Sequence, residues 1–334
     1  MRLAVALFLA ALCLAPPARA DFRPVVAYSF GGKEDGTFNA AVALGAERFA
    51  RQTGVAVTEY APGSTVTTPD GLAAGLEALL AAGADPVVAV GFHYVPVVRD
   101  LAARHPDRRF AILDGTVYRP NVTSVQFREH EGVYLAGMLA AMAAGGRPLG
   151  FVGGMDILPI RRFQCGFVQG VRRVAPDTEI LSAIHPGLAG EGFTDTAWGR
   201  ERAREQYGRG AAVVFAAAGP TNAGVFDAAA ESGRLAVGVD TNQNGERPGT
   251  VLTSVMKRLD IAVYRLLERA QAGEWQGGEE SLGLAEEGVG WALDRHNAAL
   301  VTPAMQARLA QAEFDIVAEV VRVHDFADSN ACPY

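Results

Sequence analysis

The sequence predicts an α/β protein of two lobes, each a parallel sheet with helices on both faces. Three observations carry this reading. Short runs rich in Val, Ile, Ala and Phe alternate with amphipathic helical patterns along nearly the whole chain, the mark of strand–helix–strand units. The runs number about ten, many for a single open sheet in a chain of this size. The alternation breaks near 126–130, and Gly145-Gly146-Arg147-Pro148 punctuates the chain soon after, as a change of lobe would.

The elements follow in order. A strand over 25–30 leads through a glycine-rich turn to an alanine-rich helix over 37–52. Strands at 55–60, 86–90, 110–113 and 124–127, with helices at 70–82 and 94–103, complete the first lobe. A helix over 131–144 opens the second. It continues with strands at 149–153, 179–184, 212–217 and 235–239 and helices at 161–174, 195–207 and 223–231; Pro159 suits the first turn of its helix. The strand at 251–255 and the helix at 259–271 are expected to cross back to the first lobe, and the stretch beyond Gly290 to the second. The expected lobes are therefore 21–126 with 251–283, and 127–250 with 287–334.

The first twenty residues read as a secretory signal. Arg2 gives a positive start, Leu3 to Leu14 are apolar, and Ala18-Arg19-Ala20 has the small-x-small form of a cleavage site. Cys13 invites a lipoprotein reading, but Leu12 stands before it where lipid attachment wants a small residue, so soluble release after Ala20 is expected. Processing leaves 314 residues, and loss of Arg2 and Arg19 takes the formal charge from −7 to −9. No later apolar run approaches the roughly 20 residues of a membrane span. An acidic exported chain is a poor partner for nucleic acid, whose phosphates call for a basic face. Cys165 and Cys332 survive processing and are either a disulfide or a buried thiol with an exposed tail thiol.

In parallel sheets ligands bind beyond the carboxyl ends of the strands, so the residues just after each strand are the informative ones. "SFGGKEDGTFNAAV" (29–42) has the glycines of a phosphate loop, but Lys33 is followed by Glu34 and Asp35, not by Ser or Thr. The turn instead presents Phe38 and Asn39. Either Phe38 is a core residue and Asn39 a surface one, or Phe38 offers a stacking face and Asn39 a donor and an acceptor. Asp114 closes "RRFAILDG" and Asp240 closes "LAVGVD"; each is a turn cap or a ligand acceptor, and one per lobe suits a cleft that grips hydroxyls and ring N–H groups. The block "FVGGMDILPIRRFQCGFVQGV" reads mainly as fold, with Phe163 and Phe167 at helical spacing. The six histidines form no metal-ligand pattern, and no Gly-x-Ser-x-Gly elbow appears. Nothing argues for catalysis.

Taken together, these blocks resemble the basic membrane protein family of solute-binding proteins, and within it the purine nucleoside receptors of ABC importers. The resemblance runs from about 25 to 323 and also includes "DPVVAVGFHY", "VQFREHEGVYLAG", "GPTNAGVFDAA", "GVDTNQ" and "PGTVLTSVMKRLDIAVY". It implies a two-lobed periplasmic binding protein fold of type I, with three hinge strands, closing on a nucleoside. It also implies a monomer that delivers its ligand to inner-membrane permease subunits, with no cofactor, metal or enzymatic activity. Residue by residue, it implies Phe38 and Phe193 as the two stacking rings and Asn39 as a polar neighbour. Asp114 would accept from the base, Asp240 would take the ribose hydroxyls, Gly219 would bring a backbone amide to the sugar, and Lys257 would contact the ligand near the hinge. Many relatives carry an aspartate at the end of the first strand, where this chain has Ser29. Ser29 is therefore where specificity is expected to differ, with a sugar or free nucleobase as alternative ligands and a nucleoside-processing enzyme as the remote one.

Overall fold

Two six-stranded sheets with the same strand order organise the chain. They are seen in a computed structural model that describes residues 22–29, 32–63, 68–188 and 190–334. The signal segment with its cleavage after Ala20 lies outside the described residues, as do Cys13 and Phe30. The chain first lays down β1 (Val25–Ala27), α1 (Phe38–Thr53), β2 (Thr58–Tyr60), α2 (Pro69–Ala81), β3 (Val87–Val90), α3 (Val95–Arg104), β4 (Phe110–Leu113) and β5 (Val122–Phe127). It then builds α4 (Glu129–Ala144), β6 (Leu149–Gly153), α5 (Leu158–Val174), β7 (Ile180–Ile184), α6 (Thr196–Gly208), β8 (Val213–Ala217), α7 (Asn222–Glu231), β9 (Leu235–Asp240) and β10 (Val251–Lys257). Next come α8 (Leu259–Ala272) and β11 (Gly278–Leu282), then β12 (Val289–Trp291), α9 (Pro303–Val317) and α10 (Phe326–Ser329).

The first sheet runs β2-β1-β3-β4-β5-β11 and the second β7-β6-β8-β9-β10-β12. Neighbours are parallel except β12, which is antiparallel to β10. The central strands are apolar throughout and wholly buried, as in β3 and β8, because helices cover both faces. One core face joins the two lobes through α1, α4, α5 and α8. The outer faces are closed by α2 and α3 in one lobe and by α6 and α7 in the other.

The chain passes between sheets three times: at Arg128 between β5 and α4, at Arg258 between β10 and α8, and over 283–288 between β11 and β12. The first two crossings use nearly the same backbone, with φ/ψ of −89°/64° at Arg128 and −82°/54° at Arg258. Both are tied to the third, Arg128 N–H donating to Leu282 O at 2.9 Å and Arg258 N–H to Gly288 O at 2.8 Å. The return to the first lobe was expected at 251, and here the structure corrects the sequence. β10 pairs with β9, Val255 opposite Val239, so 251–257 belongs to the second sheet and the crossing comes at 258. The reason is that Val251 to Val255 are all buried, as a strand flanked on both edges requires.

Four elements carry no expectation from the sequence: β11, β12, α9 and α10. β11 reads GEESL and is largely exposed, so it shows no apolar pattern; its charges suit a sheet edge. The structure joins Cys165 and Cys332 in a disulfide, Cα atoms 5.5 Å apart, tying the C-terminal segment to α5.

Candidate ligand-binding cleft

A cleft opens where the carboxyl ends of the strands of both sheets face each other. The first lobe supplies Ser29, Asp35, Phe38, Phe92 and Asp114, and the second Phe163, Phe193, Gly219, Asp240 and Lys257. Seven of the eight positions singled out in the sequence thus line one cavity: Ser29, Phe38, Asp114, Phe193, Gly219, Asp240 and Lys257. Asn39 departs from expectation. It is 1% exposed, and its Oδ1 accepts from the Ser29 backbone N–H at 2.9 Å, so it holds the end of β1 instead of lining the cavity.

The loop before α1 is shaped by Asp35. Its carboxylate accepts the backbone N–H groups of Thr37, Asn39 and Ala40, each at 2.9 Å, satisfying donors that a helix start leaves open. That anchor fixes Phe38 at the first position of α1, half-buried and facing the cleft. Phe193 comes from a short 3-10 turn, Glu191–Phe193. It packs so closely on Gly154 that a Cβ there would lie 2.4 Å from the ring. Gly219 follows β8 with φ 57°, a left-handed conformation that glycine adopts freely.

Asp114 and Asp240 occupy matching places, just after β4 and at the end of β9. Both have left-handed backbone, φ 58° and 67°. Non-glycine residues rarely sit there, and such conformations cluster at ligand sites. Lys257, at the end of β10, reaches across to the first lobe. Its ammonium donates to Asp114 and, at 2.9 Å, to Glu129 Oε1, and lies 5.4 Å from the Phe38 ring centroid and 5.0 Å from that of Phe127. Burial works to lower the Lys257 pKa, but the Asp114, Glu129 and Asp240 carboxylates outweigh it and push the value up, so the lysine stays charged. Burial raises Asp114, with Lys257 opposing it. Burial also pushes Asp240 up to about 7, although Lys257 pulls it down.

Sequence reasoning missed several of these residues. Ile157, Pro159, Ile160 and Phe163 come from the block assigned to the fold; helical spacing says which face is apolar, not whether its first turn meets protein or ligand. Phe92 begins a short 3-10 turn after β3; Gly91-Phe92 is one of the strand-end positions that the sequence marks as informative, but the sequence attaches no role to the ring. Glu129 gave none, since a glutamate at a helix start reads as a cap. Among the described residues, no group of three or more His, Cys, Asp or Glu side chains is placed to hold a metal ion, and no helix is long and apolar enough to cross a membrane.

Comparison with known proteins identifies the family and matches the two-lobed fold. The Bmp family model, described as ABC transporter substrate-binding protein PnrA-like, matches residues 24–323. An uncharacterized lipoprotein of Pyrococcus horikoshii is 35% identical over 289 residues, 82% of this chain and 70% of its own length. The ABC transporter nucleoside-binding protein BmpA of Lactococcus lactis is 30% identical over 247 residues, 68% of each chain. A solved solute-binding protein of an ABC transporter system from Aeropyrum pernix K1 superposes with a TM-score of 0.83 at 26% identity, over 92% of this chain and 95% of that one. The lipoprotein name of the first relative stands against the expectation of soluble release after Ala20.

Proposed function

The chain belongs to the PnrA-like family of ABC transporter substrate-binding proteins, and from that premise we propose that its cleft binds a nucleoside, a purine nucleoside first, for delivery to a permease. Proteins of this family work outside the cytoplasmic membrane with permease components and bind small ligands. The observation that carries the finer reading is the meeting in one cavity of Phe38 and Asp114 from one lobe with Phe193 and Asp240 from the other. A nucleoside offers two π faces, a polar base edge and vicinal hydroxyls. Aromatic rings suit the faces, and ionised carboxylates suit the hydroxyls and N–H groups.

The same charges argue against nucleotides. Asp35, Asp114 and Asp240 line the cavity with Lys257 as their cation, and Lys257 is already engaged by Asp114 and Glu129. A phosphate would meet uncompensated carboxylates, which rejects it by repulsion. Ser29 favours a second reading. A neutral hydroxyl lines the cavity at the end of the first strand, where the family resemblance implies a carboxylate, so a sugar or free nucleobase is the alternative ligand. The working form in this reading is a periplasmic monomer released after Ala20, whose mature N-terminus, Asp21, intact-mass analysis of the exported protein would identify.

The test is a thermal-shift screen of refolded, ligand-free protein against nucleosides, bases, nucleotides and sugars. A ligand at a hundredfold its dissociation constant adds about 2.7 kcal/mol. A response to a sugar with none to any nucleoside sinks the proposal, as does tighter binding of a nucleoside monophosphate than of its nucleoside. Phe38→Ala should weaken nucleoside binding by about tenfold or more, given about 1–3 kcal/mol for stacking one base.

A further inference from the structure

We infer that the C-terminal segment 324–334 is a working part of the ligand cleft, because it clamps a buried relay of charges that holds Lys257 against Asp114. The inference rests on the cleft reading above. Lys257 and Glu129 have side chains 1% exposed and meet at 2.9 Å through Glu129 Oε1. The other oxygen, Oε2, accepts no hydrogen bond and faces Arg162 Nη1 at 3.7 Å. Arg162 in turn directs Nε at Asp325 Oδ1, 2.8 Å away, with the two side chains 12% and 17% exposed. Asp325 lies in the segment that the disulfide ties down.

That segment is fixed to one face of α5. Arg162, Cys165 and Gln169 stand at helical spacing and hold Asp325, Cys332 and His324 respectively. Gln169 does so twice, its Oε1 accepting from His324 N–H at 2.8 Å and its Nε2 donating to His324 O at 2.9 Å. On the other side of the clamp, His130 Nδ1 lies 3.8 Å from Asp325 Oδ2. Neither Arg162 nor Asp325 lines the cleft, so both are positioning residues.

The physics runs from the buried glutamate outward. A buried carboxylate needs compensation, and an unpaired one costs several kcal/mol. Lys257 compensates one oxygen of Glu129, and Arg162 the other. Arg162 is near enough to the surface to swing into water unless Asp325 holds it. Once Arg162 leaves, Glu129 draws the ammonium with both oxygens and pulls it off Asp114, whose carboxylate faces the ligand. Asp114 is surrounded by Lys257, Glu129 and Arg162 charges, so its titration reports the state of the relay.

Two readouts on full-length protein test this. The first is affinity, by calorimetry, for the solute that wild type binds. The second, made on ligand-free protein, is the pH midpoint of the Asp114 carboxyl carbon by NMR. Asp325→Asn and Arg162→Met should each weaken binding about tenfold and raise the Asp114 midpoint. Arg162→Lys should restore most of both, and the Cys165→Ser/Cys332→Ser double variant should shift both in the same direction as Asp325→Asn. The sign at Asp325→Asn is diagnostic: simple removal of a distant negative charge lowers the Asp114 midpoint, whereas a loosened relay raises it. A lowered or unchanged midpoint with affinity within about twofold of wild type overturns the inference. Should Arg162→Met fail to fold, the near-isosteric Asp325→Asn carries the test. If wild type binds no nucleoside, the functional proposal fails while the ligand-free titration still judges the relay.

Discussion

Asp114 and Asp240 tie backbone and chemistry together at single residues. Left-handed backbone costs an ordinary L-residue about 1–2 kcal/mol, and Asp and Asn tolerate it best. Asp240→Asn therefore removes the charge without adding strain, which Asp240→Ala would not. With its pKa near about 7, Asp240 loses its charge in mildly acid solution, and a protonated carboxyl is a weaker acceptor for ligand hydroxyls. Nucleoside affinity should fall as pH drops from about 8 to about 6, and Asp240→Asn should bind more weakly at the upper pH and lose the dependence; calorimetry across that range checks both. Stability moves the other way. The unfolded carboxyl releases its proton near 3.8 and the folded one near about 7, so between those values the folded chain holds more protons. Ligand-free stability contributed by this group therefore declines as pH rises through that window. A melting series in which Asp240→Asn shows the same decline as wild type removes Asp240 as its source. The aspartates were legible in the sequence because each ends an apolar strand before a turn. Glu129 and Arg162 were not, because a charged residue in a helix reads as solvated until the neighbouring helix is placed.

Elements decide how far the cleft opens. Two of the three crossings are single residues, Arg128 and Arg258, in a conformation that is neither helix nor strand, the kind of element-terminal position that absorbs the dihedral change in a hinge motion. Across the mouth, Thr241 Oγ1 after β9 donates to Gly36 O in the loop before α1, at 2.8 Å. Opening the lobes must break that bond. A net hydrogen bond is worth about 0.5–1.5 kcal/mol, so Thr241→Val should release ligand several-fold faster with little change in association, as stopped-flow measurements would resolve. Equal release rates would mean that closure does not load this bond. The ten strands and eight helices of the sheet cores could be read from apolar periodicity. β11 could not, since GEESL pairs through its backbone along β5 and its side chains show no pattern. α9 does carry a start signal in its sequence: Thr302 caps it, accepting from Met305 N–H at 3.3 Å, ahead of Pro303 in the first turn.

At the scale of the whole molecule, the two lobes repeat one another in strand order although no repeat shows in the sequence. Periodicity reveals strands but not their neighbours, and the crossing at 258 instead of 251 follows from that. β10 and α8 are adjacent in sequence yet serve different lobes, a fact fixed only when Val255 finds Val239. The same topology makes closure a prediction about shape. The lobes are joined by three crossings on one side and bridged across the cleft by Lys257 with Asp114 and by Thr241 with Gly36. Both bridges span the cleft that Phe38 and Phe193 line, so any separation of the lobes must break them, and ligand-free protein is expected to spend time open. A ligand that contacts both lobes binds the closed form better and shifts the population toward it. Small-angle scattering should accordingly give a smaller radius of gyration with saturating nucleoside than without, and Thr241→Val should enlarge the ligand-free value while leaving the saturated one unchanged. Identical radii with and without a ligand proven to bind would mean that these lobes do not close on it, and that solute enters the cleft by side-chain motion alone.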